Sequence, residues 1–145
     1  VRIIMEQPQP DEEDQIIVRC RNLSSEIISL LGQIQTQGEF LIGYTGDEIH
    51  RVPSRDIYYV EAIDRKTFLY CESKVYESKQ KLYELEEDFG SGDFIRVSKS
   101  VILNMSKIKS LLPSLSGRIE VVLKNDERVI ISRQYVQELK KLLGV

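Results

Sequence analysis

From Glu39 onward the apolar positions come in short runs separated by turn residues, a spacing that predicts strand after strand. Phe40–Tyr44 is apolar and is followed by the turn Thr45-Gly46-Asp47. Glu48–Val52 alternates and closes at Pro53. Ile57–Ala62 and Thr67–Cys71 flank the charged tip Asp64-Arg65-Lys66, and Lys74–Glu77 adds a short strand. One helix interrupts the series. Ser78 is positioned to cap Lys79–Asp88, whose Leu82, Leu85 and Phe89 fall on one stripe suited to covering a sheet, and Gly90 and Gly92 end it. Phe94–Val97 and Val101–Leu103 then read as two strands around the polar turn Ser98-Lys99-Ser100. Ile108–Leu112, Arg118–Lys124 and Arg128–Ser132 continue the pattern. A last helix carries Tyr135, Val136, Leu139, Leu142 and Leu143.

The first 37 residues have a different pattern. Val1–Gln7 and Gln15–Arg19 read as a hairpin around Pro8, Pro10 and the acidic run Asp11–Asp14. Ser24 or Ser25 opens a helix in which Ile27, Ile28, Leu30, Leu31 and Ile34 form a broad apolar face. Residues 33–38 then form a polar linker. The expected organisation is a ββα unit over residues 1–37 and a mainly β domain over residues 38–145. The ββα unit is too small to bury much surface alone, so it must lean on the main domain or on a second copy. A homodimer is expected, with packing inside one chain as the alternative.

Composition is that of an ordinary globular chain, with 41% hydrophobic and 30% charged residues among 145. No apolar run is long enough to cross a bilayer and no secretory signal is visible, which predicts a cytoplasmic protein. The net charge of −3 argues against crude binding to a polyanion, but its distribution changes the picture. Residues 94–145 hold 10 basic and 4 acidic side chains, whereas residues 38–93 hold 7 basic and 13 acidic ones. Local potential steers a polyanion, and the C-terminal third is basic. Pairing of that block with the acidic remainder is the plainer explanation.

The candidate chemistry is not catalytic. No histidine, carboxylate and nucleophile are arranged for covalent catalysis. No glycine-rich phosphate loop appears, so neither a cofactor nor a small-molecule substrate is expected. Cys20, Cys71 and His50 make no zinc set, and the thiols read as reduced and structural. What stands out is three tips rich in cations and hydroxyls, Arg65-Lys66-Thr67, Ser98-Lys99-Ser100 and Ser132-Arg133-Gln134. Each alone is more often a solvated turn. Together, on a rigid sheet, they suit contacts to base edges and phosphates.

The order of these segments resembles the LytTR family of DNA-binding domains over residues 39–143. Arg55-Asp56-Ile57-Tyr58-Tyr59-Val60-Glu61 is similar to the family's early strand. The stretch Phe94 to Asn104, F-I-R-V-S-K-S-V-I-L-N, resembles its block F-x-R-x-H-x-S-x-x-V-N. Ile108 matches the following Ile, and Ile131-Ser132-Arg133 with Tyr135 resembles its closing v-S-R-x-y. The resemblance implies an elongated arrangement of small antiparallel sheets with few helices. It further implies loops inserted in successive major grooves of double-stranded DNA, some DNA bending, and bacterial transcription control. Carried over by position, the DNA contacts would be Lys66 or Thr67, with Arg65 beside them, then Ser98, Lys99 and Ser100, and finally Arg133. Arg96 and Arg118 would touch phosphate, and Asn104 would be structural. Ser98 replaces the family's usual His, which bears on sequence preference. A phosphoacceptor receiver domain would not fit in the first 38 residues, and the resemblance to stand-alone regulators implies a membrane-protein partner. The competing reading is a protein-interaction module that does not bind DNA.

Overall fold

The computed structural model describes residues 2–36, 40–90 and 92–145. Ten strands and three α-helices are present among them. Helix α1 is Ser25–Thr36, and β1 (Phe40–Thr45) to β5 (Val75–Ser78) follow as β2 (Glu48–Pro53), β3 (Tyr59–Ile63) and β4 (Lys66–Tyr70) between them. Helix α2 (Leu82–Phe89) precedes β6 (Phe94–Arg96) and β7 (Val101–Asn104). The chain ends with β8 (Ile108–Pro113), β9 (Ile119–Leu123), β10 (Arg128–Ile131) and α3 (Arg133–Leu143). A seven-stranded sheet has the order β2-β1-β5-β4-β3-β7-β6 and a three-stranded sheet the order β10-β9-β8. Every pairing is antiparallel. The expected mainly β fold of antiparallel sheets is therefore what forms.

Strand β7 explains the layering. All four of its residues are buried. Val101 and Leu103 point into a core shared with Ile119, Val121, Leu123 and Ile131 of the small sheet and with Val136 and Leu139 of α3. Ile102 points the other way, into a core with Val60, Leu69 and the Leu82, Leu85 and Phe89 stripe of α2. A strand covered on both faces reads as a continuous apolar run rather than an alternation. Asn104 ends it: its amide donates to the Ile57 carbonyl at 2.9 Å, and its Oδ1 accepts from the Ser106 N–H at 3.0 Å. The side chain is 2% exposed, so these bonds satisfy a buried amide as the structural role anticipated. Gly43 marks another tight place, because a Cβ there would lie 2.7 Å from Cβ of Tyr76.

Three expectations change. The two N-terminal strands do not form: residues 2–22 contain no strand, and Ile3, Ile4, Ile16 and Ile17 are exposed. A two-stranded hairpin is marginal without a cover, and none is present over it. Helix α2 starts at Leu82 rather than Lys79, because Ser78 is taken by β5, where it pairs with Thr67. The Ser78 hydroxyl instead accepts from the Gln80 N–H, and Glu84 accepts from the Lys81 N–H where the helix begins. His50, which the alternating pattern of Glu48–Val52 would put on the surface, is instead half-buried against Tyr76, with 5.0 Å between the ring centroids. The expected boundary at 37/38, the end of the linker and the start of the first strand at Val1 lie outside the described residues, as does the side chain of Ile34.

Candidate nucleic-acid interface

Two backbone hydrogen bonds assemble the three tips. The Ala62 N–H of β3 donates to the Ser100 carbonyl at 2.8 Å, which sets the β3–β4 turn beside the Ser98–Ser100 loop. The Ser132 N–H donates to the Val97 carbonyl at 3.0 Å, which brings the start of α3 against the other side of that loop. Val97 is fully buried and anchors the loop in the core. The result is a concavity of about 500 Å³ lined by Ser98, Lys99, Ser100, Arg118, Ser132, Arg133 and Gln134. Its walls carry three cations, three hydroxyl groups and one amide, and no carboxylate.

The cations here are unspent. Lys99, Arg118 and Arg133 are exposed and make no ion pair with any described residue. Helix α3 adds its positive end, since Ser132 is its N-cap residue and Arg133 opens it. The Ser132 side chain makes no capping bond, which leaves its hydroxyl for other partners. The β8–β9 tip closes the far wall. Ser114 binds Arg118 through its N–H and its hydroxyl, each at 3.0 Å. Gly117, at φ +82°, sits against the stem of Arg133, where a Cβ would lie 3.7 Å from Cδ. The family resemblance implied a phosphate contact for Arg118, but nothing in the sequence showed that this hairpin would flank Arg133.

Not every candidate reaches the surface. The β3–β4 turn consists of Asp64 and Arg65, both at positive φ, so β4 already begins at Lys66. Arg65 and Lys66 are exposed, the latter 3.9 Å from Glu77. Thr67 is one position on, faces the opposite side of the strand and is buried, so its hydroxyl is not offered at the tip. Arg96 also differs from expectation. Its Nε donates to the Ser98 carbonyl at 2.7 Å, its Nη2 to the Lys99 carbonyl and its Nη1 to Glu86 at 2.7 Å. Each of its three nitrogens thus donates within the protein, which takes three of its five N–H groups. Cys71 lies elsewhere, and burial with Asp56 nearby pushes its thiol up to about 11. Both cysteines are free.

The family profile described as LytTr DNA-binding domain matches residues 47–144. The chain belongs to the LytTR family. It is 33% identical over 99 residues to the sensory transduction protein LytT of Enterococcus faecalis, covering 68% of this chain and 41% of LytT. It thus spans about two-fifths of that relative. It is 27% identical over 137 residues to an uncharacterized HTH-type transcriptional regulator of Staphylococcus aureus, covering 93% of this chain and 92% of that one. The solved LytTR DNA-binding domain of a Bacillus cereus methyl-accepting/DNA response regulator superposes with a TM-score of 0.70 at 32% identity, over 74% of this chain and 98% of that one. No two helices follow each other in the described part of this LytTR chain, so it contains no helix-turn-helix there. No described helix is long and apolar enough to cross a membrane.

Proposed function

We propose that this LytTR chain is a sequence-specific, double-stranded DNA-binding regulator of bacterial transcription that reads its operator with loops rather than with a recognition helix. The observation that carries the reading is the concavity in which unpaired Lys99, Arg118 and Arg133 meet three serine hydroxyls without a carboxylate. Exposed Arg65 and Lys66 extend this surface from the neighbouring turn. Arg133 and Lys99 are the base-reading candidates, and Arg118 with Ser98 and Ser100 the backbone contacts. The loops enter successive major grooves. On this reading the chain works in the cytoplasm. The test is selection of duplexes from a randomised library followed by binding at several salt concentrations. Enrichment of one motif with a salt-dependent affinity is expected. Retention of no duplex, with capture of protein partners instead, would favour the interaction module.

The same reading includes a homodimer. Helix α1 leaves Ile28 and Leu30 57% and 52% exposed, an apolar face that a second copy would cover. Sedimentation should show a dimer at micromolar concentration. A monomer would point instead to another protein as the cover, such as the membrane-protein partner implied by the family resemblance.

A further inference from the structure

We propose that Arg96 is a positioning residue that locks the Ser98–Ser100 loop into its DNA-ready shape, with Glu86 of α2 as its anchor. The proposal rests on the reading of that loop as a DNA contact. The loop carries four carbonyls, those of residues 97–100. The Val97 carbonyl accepts from the Ser132 N–H and the Ser100 carbonyl from the Ala62 N–H. The two between them, on Ser98 and Lys99, both accept from the Arg96 guanidinium. All four acceptors are therefore claimed from within the protein.

Two consequences follow for a polyanion. Carbonyl oxygens turned toward phosphate would repel it, and here they are turned onto donors while the Lys99 side chain points out. The loop is also ordered before DNA arrives, so its ordering cost falls on folding rather than on association. Only a planar fork can serve two successive carbonyls and a carboxylate at once. A lysine ammonium carries charge but lacks that geometry. Glu86 holds the third nitrogen, and its helix is fixed by buried Leu82, Leu85 and Phe89. The shape of the loop is thereby tied to the α2 layer on the opposite face of β7.

Two substitutions separate this role from a phosphate contact. Arg96→Lys keeps the charge and removes the fork, whereas Arg96→Gln removes both. Amide hydrogen exchange on the free protein is read first. Arg96→Lys should speed exchange at the amides that tie the loop down, those of Ala62, Ser100 and Ser132, by about tenfold while residues 101–103 keep their protection. Binding is then measured on a duplex selected by the wild-type chain and on a scrambled duplex of equal composition. Both variants should cut the selected-over-scrambled ratio by about tenfold, with the salt slope on scrambled duplex unchanged. Unchanged loop exchange overturns the proposal whatever happens with DNA. So does a variant pair in which Lys binds like wild type and Gln lowers the slope by about 0.9, the mark of a phosphate contact. Should both Arg96 variants unfold, Glu86→Gln decides: it must also speed loop exchange, and normal exchange overturns the proposal. A wild-type chain that selects no duplex defeats the DNA reading, and the exchange result alone then judges the brace.

Discussion

Two concavities on this molecule are both lined with cations, yet only one suits a polyanion. The second, of about 380 Å³, includes Arg51, Lys74 and Lys107 together with Asp56 and Glu72. Two of its three cations are already engaged: Arg51 lies 3.9 Å over the Phe40 ring and Lys107 5.0 Å over the Tyr58 ring. Carboxylates in the same wall cancel much of what remains. The first concavity has neither feature. Its three cations lack ion-pair partners among the described residues, and the positive end of α3 opens into it. Counting basic residues would not separate the two. What separates them is the carboxylates Asp56 and Glu72 in the second wall, with two of its cations held over aromatic rings, against three unpaired cations and no carboxylate in the first.

Substitutions in the two walls put that contrast to the test. The largest effect is expected from Lys99→Ala combined with Arg133→Ala. Each lost two-pronged base contact should cost about 1–3 kcal/mol of specific affinity, measured by fluorescence anisotropy. Gln134→Glu comes next, because it places in the first concavity the carboxylate that the second one has. An acidic residue in the first turn of α3 favours the helix, so the melting temperature should hold or rise while DNA affinity falls. Arg118→Ala should act more mildly. It should lower the slope of log affinity against log salt by about 0.9 and weaken selected and scrambled duplexes alike. Lys74→Ala and Lys107→Ala in the second concavity should leave both affinity and salt slope unchanged. If they weaken DNA binding as much as Arg118→Ala, the contrast between the two regions is wrong.

Much of this was legible in the residues, for identifiable reasons. The polar turn at residues 98–100 stood out because short, mostly apolar and β-branched runs on both sides, Phe94–Val97 and Val101–Leu103, fix it between strands. The α2 stripe was legible because Leu82, Leu85 and Phe89 recur at helical spacing. Thr67 was misread because one residue of register decides which face of a strand a side chain takes, and a two-residue turn shifted β4 to start at Lys66. The role of Arg96 could not be read in advance, since a cation near a serine loop looks the same whether it faces DNA or carbonyls. Its partner Glu86 is ten positions away, on a helix whose placement depends on the core. The N-terminal strands failed for the opposite reason. Their local pattern is strand-like, but strand pairing needs a covered face, and residues 2–22 have none.

Amide hydrogen exchange with and without a selected duplex, mapped along the whole chain, shows which concavity meets DNA. New protection is expected at residues 98–100, 118 and 132–134, extending to 65–66, with none around residues 51, 72 and 74. Protection confined to the second concavity, or spread evenly over both, would contradict it.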